Sequence, residues 1–549
     1  MAGSRLPKLR RLSQIFFLLF FLALLIFTTL RPAANSTSDI HLRAPVRLFF
    51  EWDPLVAVVN VLGSHALYRG LLWSLLILVP TLFLGRFFCG WICPMGTLQH
   101  FVGNQPSESK RGKQRIDSNR YKRWQTAKYV VLLAGLVAAC FGSAAIGWLD
   151  PFSLLVRSFG LSILPAFNAA VRAVLAPLEH SPIAAIKYIG ESLHTILQYT
   201  VLDFRQPHYA QSLILGILFI AILAASLRVT RFWCRAICPL GALLGAVSRW
   251  SVLGLHKDPA ACDKCNRCLL NCQGGDDPIG GAPWRKSECL MCMNCLGSCP
   301  HDSLQFRFFR DVSVKGAEVS SPDLGRRRTL TGIAAGVAIV PLMRANTGLG
   351  KSRHERLLRP PGSLDETEFL SRCIRCGECM KVCPNTALHP TLDQAGLEGL
   401  WSPTLVPRIG YCEPSCVLCS EVCPTGAIWQ ITPKEKGWVV GVGQQSQPIR
   451  LGTAFYDRGR CLPWAMATDC IVCEEWCPVS PKAIYVQEAQ VIDAEGNTKT
   501  LKQPRVDPSR CVGCGACEYA CPLQEHPAVY VTSIGESRSP SSQILLNRK

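Results

Sequence analysis

Several things are scarce or missing in this 549-residue chain. No C-x-x-C-H segment occurs, which excludes a covalently attached c-type haem, and no G-x-G-x-x-G joins a strand to a helix, which argues against nicotinamide binding. Charge is thin: Asp, Glu, Lys and Arg make 18% of residues, too few for a disordered chain and too many for one lying wholly in lipid. Acidic residues are outnumbered 39 to 58, a formal net charge of +19, so nucleic acid, anionic lipid or basic cytoplasmic loops must account for the excess. After residue 230 no apolar run reaches a full span. What is present is 49% apolar residues, a mean hydropathy of +0.20 and 29 cysteines. The combination predicts a membrane part joined to a soluble part.

Four stretches are long and apolar enough to cross a hydrocarbon core: 15–30, 70–88, 129–148 and 211–227. The first follows Arg5, Lys8, Arg10 and Arg11 and competes with a cleaved signal peptide. Between the second and third, Lys110, Arg111, Lys113, Arg115, Arg120, Lys122 and Arg123 face only Glu108 and Asp117, so that loop is cytoplasmic and the N-terminus lies inside. Much of the basic excess is therefore topological. Between Phe152 and Pro207, Pro165, Pro177 and Pro182 interrupt a semi-apolar segment that predicts surface-lying helices. Pro80 predicts a kink in the second span.

The membrane half is an internal duplication. Arg86-Phe-Phe-Cys89-Gly-Trp-Ile-Cys93-Pro94-Met-Gly96-Thr-Leu98 returns as Arg231-Phe-Trp-Cys234-Arg-Ala-Ile-Cys238-Pro239-Leu-Gly241-Ala-Leu243, identical at eight positions. Asp53-Pro54 and Asp150-Pro151 form a second repeated pair. Two units in the same orientation predict parallel repeats about a two-fold along the membrane normal, and they need the first segment as a retained anchor.

Beyond residue 260 every cysteine falls into a group of four. Cys262, Cys265, Cys268 and Cys272 have the spacing C-x2-C-x2-C-x3-C, as do Cys289, Cys292, Cys295 and Cys299; Cys373, Cys376, Cys379 and Cys383; and Cys511, Cys514, Cys517 and Cys521. Cys412, Cys416, Cys419 and Cys423 carry one extra residue, and Cys461, Cys470, Cys473 and Cys477 a wide first gap. This is the spacing of bacterial ferredoxin [4Fe-4S] sites, in which the fourth cysteine serves the neighbouring cluster. Disulfides fit poorly because cysteines two apart cannot easily bridge, and zinc ribbons use isolated pairs. Six clusters are expected. Crossing pairs Cys262, Cys265 and Cys268 with Cys299, and Cys289, Cys292 and Cys295 with Cys272, while partners among the last four groups stay open. The first group has Gln273 where the others have proline.

Four of the remaining cysteines, Cys89, Cys93, Cys234 and Cys238, form the paired C-x-x-x-C-P motifs at the cytoplasmic ends of spans. The i, i+4 spacing sets each pair on one helical face. A shared metal or cluster site, a redox-active thiol set and plain helix packing are the three readings; the first two make these cysteines the candidate catalytic residues. Cys140, mid-span, is expected to pack as a small apolar residue. Gly325-Arg326-Arg327-Arg328-Thr329-Leu330 followed by the apolar run 331–343 reads as a twin-arginine export signal retained as a fifth span, against a short buried helix as the alternative. A translocase for folded proteins suits a domain that must acquire its clusters before export.

These motifs resemble two families of periplasmic nitrate reductase systems. Residues 1–310 resemble the membrane ferredoxin-type NapH family, and residues 324–540, with Arg359-Pro-Pro-Gly362, Glu368-Phe369-Leu370 and Cys373, the exported ferredoxin-type NapG family and its MauM relatives of methylamine utilisation. The resemblance implies quinol oxidation at the bacterial inner membrane, with electrons passing through [4Fe-4S] clusters to a periplasmic reductase or cytochrome. The expected fold is a membrane α-helical part of four spans as two parallel repeats, plus a fifth, with small α+β ferredoxin-like bis-[4Fe-4S] modules. The expected domains are a membrane domain at 1–250, a cytoplasmic two-cluster domain at 251–310, a signal-anchor and linker at 311–350 and a periplasmic four-cluster domain at 351–549. Glu51, Asp53, His65 and Asp150 are candidate proton acceptors for quinol, although Asp53 and Asp150 before proline also read as helix N-caps. The rival function is a maturation factor for a copper or haem-copper enzyme, working through the C-x-x-x-C-P thiols.

Overall fold

The structure, a computed structural model, describes residues 5–28, 47–66, 68–105, 112–203, 205–258, 260–263, 265–274, 285–301, 303–308, 325–345, 354–438, 448–492 and 495–538. Glu108, Lys110 and Arg111 of the basic loop, and the linker stretches 311–324 and 346–353, lie outside them. The chain divides into two compact units.

The first unit takes residues 1–26, 46–158 and 213–342. Its helices are α1 (Arg5–Phe27), α2 (Pro54–Ser64), α3 (Leu75–Leu84), α4 (Phe87–Trp91), α5 (Pro94–Gly103), α6 (Ala127–Cys140), α7 (Pro151–Ser158), and, past the second unit's insertion, α10 (Ser212–Arg228), α11 (Phe232–Ala236), α12 (Pro239–Ser248) and α13 (Arg326–Ala345). Helices α2 and α7, each opened by Asp-Pro, pack on α12 and α5, each opened by Cys-Pro. The partners are exchanged between repeats: α2 of the first half meets α12 of the second, and α7 meets α5. Phe49, Phe50, Phe88 and Phe152 form the aromatic centre, with ring centroids 5.5 to 6.3 Å from Phe152. Strands β1 (Leu253–Lys257) and β2 (Leu304–Phe308) pair antiparallel, Leu253 with Phe308, and close the segment holding the first two cysteine groups.

Apolar length is distributed differently from the sequence expectation. Two helical stretches are long and apolar enough to cross a membrane, Leu6–Phe27 and Pro151–Glu179; shorter apolar helices are Pro54–Ser64, Arg69–Leu84, Ser212–Arg228 and Pro239–Ser248. The stretch expected at 70–88 starts as a 3-10 turn over Arg69–Ser74, holds Pro80, and stops at Gly85, whose φ is +72. The stretch expected at 129–148 stops at Cys140, with Gly142 at φ +77. Both breaks fall at glycines in the left-handed region that ends helices. Cys140 is exposed at that helix end, not packed as expected.

Helix α13 buries one stripe, Gly332, Gly336, Val340 and Met343, and exposes Leu330, Ile333, Val337, Ile339 and Leu342. A Cβ on Gly336 would stand 2.6 Å from the Ala134 carbonyl oxygen and from Val137 Cβ, so only glycine lets α13 approach α6 this closely.

The second unit takes residues 27–45, 159–212 and 343–549. Helices occupy the segment after Phe152: a π-turn, Phe159–Ile163, leads into α8 (Leu164–Glu179), part of a stretch long and apolar enough to cross a membrane, and α9 (Ala184–Thr200) packs back on α8. Pro165 is tolerated because the π-turn has already interrupted the hydrogen-bond ladder there. The cysteine-rich remainder is held by small antiparallel pairs: β3 (Leu388–Pro390) with β4 (Pro403–Leu405), β5 (Thr453–Tyr456) with β8 (Val529–Thr532), and the long hairpin β6 (Ile484–Ile492) with β7 (Thr498–Val506). Arg359, buried, holds this part together: it donates to Ser402 Oγ at 2.8 Å, the Pro403 carbonyl at 2.6 Å and Glu366 at 2.6 Å. Three residues on, Gly362 turns at φ +82 against the Trp429 carbonyl, which gives Arg359-Pro-Pro-Gly362 its structural meaning.

Candidate metal centres

Three of the cysteine loops share one backbone device. In the second, third and sixth groups, the residues just before and just after the second cysteine are left-handed: Met291 and Met293, Arg375 and Gly377, Gly513 and Gly515. Such alternation curls the chain into a nest whose N–H groups face inward, an arrangement that suits anionic iron–sulfur sites. Asn266 occupies the same place in the first group, at φ 62.

The fourth cysteine crosses over in both pairs of the second unit, and Cys272 does so in the first. Cys423 joins Cys373, Cys376 and Cys379 around one cavity, and Cys383 joins Cys412, Cys416 and Cys419. Cys521 joins Cys461, Cys470 and Cys473, and Cys477 joins Cys511, Cys514 and Cys517. In the first unit Cys272 joins Cys289, Cys292 and Cys295. The segment carrying Cys299 is tied to the loop of Cys262 and Cys265 through His301 Nε2 and Asp263, 3.0 Å apart. The order left open by spacing is thus third with fourth and fifth with sixth. Burial pushes the Cys416, Cys461 and Cys514 thiols up to about 12 and Cys473 to about 11, so none is a reactive free thiolate; metal binding would displace the proton.

The two pairs in the second unit abut. The Cys412 N–H donates to the Cys514 carbonyl at 2.9 Å, and Tyr411, Trp476 and Tyr519 meet edge-on or tilted around the junction, with ring centroids 5.4 to 5.9 Å apart. Sulfur atoms receive hydrogen bonds from Lys436 Nζ (Cys412, 3.3 Å), Ala387 N (Cys383, 3.3 Å) and Ala454 N (Cys511, 3.4 Å), and Tyr456 Oη lies 3.0 Å from Cys473 Sγ. Such bonds set cluster potentials. Lys436, Tyr456 and buried Glu378, whose carboxyl burial pushes up to about 8, carry no signal in the spacing pattern.

In the first unit Cys89, Cys93, Cys234 and Cys238 are all buried and within electrostatic reach of one another. The Arg86 and Arg231 side chains are exchanged between the repeats. Arg231 Nη1 donates to the Cys89 carbonyl at 2.7 Å and lies against Gly96, while Arg86 Nη2 lies against Gly241, next to Cys238. Reciprocal contacts of this kind are the mark of a two-fold relation. The second cysteine group docks on α4: Trp91 Nε1 donates to the Met291 carbonyl at 2.9 Å, Arg86 Nη1 to that of Ser287 at 2.8 Å, and Gly90 meets the Leu290 carbonyl where a Cβ would collide. Lys128 Nζ closes the joint at 2.5 Å from Glu288.

The candidate proton acceptors are scattered in role. Asp53 caps α2 by accepting from Leu55 N at 2.7 Å, and Asp150 caps α7 by accepting from Ser153 N at 2.8 Å. Glu51 pairs with Arg47 at 2.6 Å, and His65 ends α2 in the left-handed region.

Comparison with known proteins accords with this geometry. A 4Fe-4S binding domain family matches residues 66–114 and 211–257, a 4Fe-4S dicluster domain family matches 431–524, and a further 4Fe-4S binding domain family matches 369–389. The methylamine utilization ferredoxin-type protein MauM of Methylophilus methylotrophus is 31% identical over 230 residues, 39% of this chain and 89% of that protein. The chain belongs to the MauM/NapG family of ferredoxin-type proteins. Ferredoxin-type protein NapG of Escherichia coli K12 is 32% identical over 222 residues, 87% of its length, and MauM of Methylorubrum extorquens 34% over 221 residues, 88% of its length. These matches fit the C-terminal half. No solved structure matches. As a MauM/NapG-family member with several 4Fe-4S domains, the protein carries out iron–sulfur electron transfer.

Proposed function

We propose that the protein takes electrons from membrane quinol and passes them through six [4Fe-4S] clusters, held by the 24 ferredoxin-type cysteines in the crossed sets above, to a periplasmic redox partner. The observation that carries the reading is the bond from Cys412 N–H to the Cys514 carbonyl. It joins two cluster pairs into one line of four, and a line of closely spaced centres is a conductor.

An outer location for the C-terminal part is supported inside the second unit. Lys381 Nζ pairs with Asp203 at 3.0 Å, and Tyr209 Oη donates to the Met380 carbonyl at 3.3 Å. Asp203 and Tyr209 lie in the loop leading into α10, at the end away from Arg228, Arg231 and Arg235, which the positive-inside rule keeps in the cytoplasm. The proposed membrane part has the N-terminus inside, four crossing elements in two repeats, and α13 as a retained fifth, its glycine stripe against α6. Twin-arginine export of the folded C-terminal part follows from Arg326 and Arg327.

Anaerobic addition of a reduced quinol analogue to the purified chain is expected to bleach cluster absorbance. Clusters that dithionite reduces and quinol leaves oxidised would reject quinol as donor and favour the maturation role.

A further inference from the structure

We infer that Cys89, Cys93, Cys234 and Cys238 together hold a seventh iron–sulfur cluster, one shared by the two membrane repeats and balanced in charge by Arg86 and Arg231. Four observations meet at this place. All four thiols are buried, and Arg86 of one repeat reaches Gly241 beside Cys238 while Arg231 of the other binds the Cys89 carbonyl. Arg86 and Arg231 are 1% and 0% exposed, and Nε and Nη2 of each have no partner among the described residues. Two buried guanidinium groups with free donors are costly unless an anion faces them. Four thiolates on an iron–sulfur core leave a net negative charge, so the arginines and the core answer one need.

The donor set also speaks for the metal. Thiolates alone select zinc, copper(I) or iron–sulfur clusters. The ferredoxin-type loops of the same chain, also built of thiolates alone, match 4Fe-4S families. Residues 66–114 and 211–257 match a 4Fe-4S binding family, yet each segment contains only two cysteines, half of a ligand set. The exchange of Arg86 and Arg231 between repeats is what makes the two halves one site.

The site touches the rest of the wire. Cys89 stands beside Gly90, which receives the Leu290 carbonyl, and Cys292 is two residues beyond Leu290. The shared cluster is therefore next in line to the cluster of Cys272, Cys289, Cys292 and Cys295.

The test uses the full chain, isolated anaerobically and reduced with dithionite, so that it does not depend on quinol. Wild type is expected to hold one cluster more than six, and the C93S/C238S double variant to lose roughly two to four iron atoms, with one reduced-cluster EPR signal gone and the others unchanged. Unchanged iron and signals, or zinc or a disulfide at the four cysteines, would overturn the inference. Should the double variant fail to accumulate, Arg86→Gln and Arg231→Gln provide the second reading. Each is expected to lower the midpoint potential of one centre alone, with Arg→Lys restoring it; wild-type potentials throughout both variants would equally overturn it.

Discussion

Lys436 Nζ stands 3.3 Å from Cys412 Sγ and closes its remaining valences on the Glu413 carbonyl at 2.6 Å and the Cys416 carbonyl at 2.8 Å, with no exposed surface. A positive charge fixed on a ligand sulfur favours the reduced, more negative state of the cluster. Replacing Lys436 by Met is expected to lower the potential of the cluster bound by Cys383, Cys412, Cys416 and Cys419, by about 60 mV for each tenfold loss in relative stability of the reduced form. EPR-monitored redox titration measures it, with iron content as the control; an unmoved potential in an iron-replete variant rejects the assignment.

The crossed pairing makes a sharper claim than the number of clusters. Cys423→Ser is expected to damage the cluster of Cys373, Cys376 and Cys379, and Cys383→Ser that of Cys412, Cys416 and Cys419. Because the Lys436→Met variant marks the second of these by its potential, combining it with each serine variant shows which centre is lost. Loss of the marked centre in C423S would refute crossing.

Glu366 lies between Arg359 and Arg538, at 2.6 and 2.8 Å. Burial alone would raise its carboxyl, but the two guanidinium groups hold it down at about 2. A carboxyl depressed below its unfolded value of about 4.3 stabilises the fold above that value and stops doing so as pH falls through the folded value. Glu366→Gln is expected to cost on the order of 3 kcal/mol near neutrality, with the gap to wild type closing from about pH 4 towards pH 2. Denaturant unfolding of both proteins across that window reads it; a constant gap would count against it.

Glu288→Gln leaves the Lys128 ammonium, 1% exposed, without its counter-charge. Removing one member of a buried pair costs about 3 to 5 kcal/mol, and here the strain falls on the joint between α6 and the second cysteine group. Faster proteolysis at 285–301, with the C-terminal part unaffected, is the expected outcome. Lys128→Met combined with Glu288→Leu should recover much of the loss, since neither charge is then stranded.

A reporter fused after residue 540 tests sidedness. An enzyme active only outside the cytoplasm should be active there, and a cytoplasmic reading would remove the outer placement drawn from Lys381 and Asp203.

The duplication, the cysteine groups and the Asp-Pro caps were legible in the sequence because identity and spacing are local. Pairing among the last four groups was not, since it depends on which loops the β5–β8 pair and the bridge between Ser363 and Ile428 bring together. Helix ends were not legible where Gly85 and Gly142 take positive φ inside apolar runs, or where the π-turn at Phe159–Ile163 lets a proline stay within a helix. Arg86 and Arg231 stood in the repeated motif all along. Their exchange between halves is a tertiary fact that no spacing rule contains.

Among the five positions at which the motif copies differ, one pair is Gly90 in the first and Arg235 in the second. Gly90 leaves room for the Leu290 carbonyl, whereas the Arg235 side chain fills the matching place and is tethered to the Ser118 and Arg120 carbonyls. A doubled ancestor would have offered two equal berths; this chain keeps one and has filled in the other. Only one repeat can seat the second cysteine group, and the absence of a single side chain decides which.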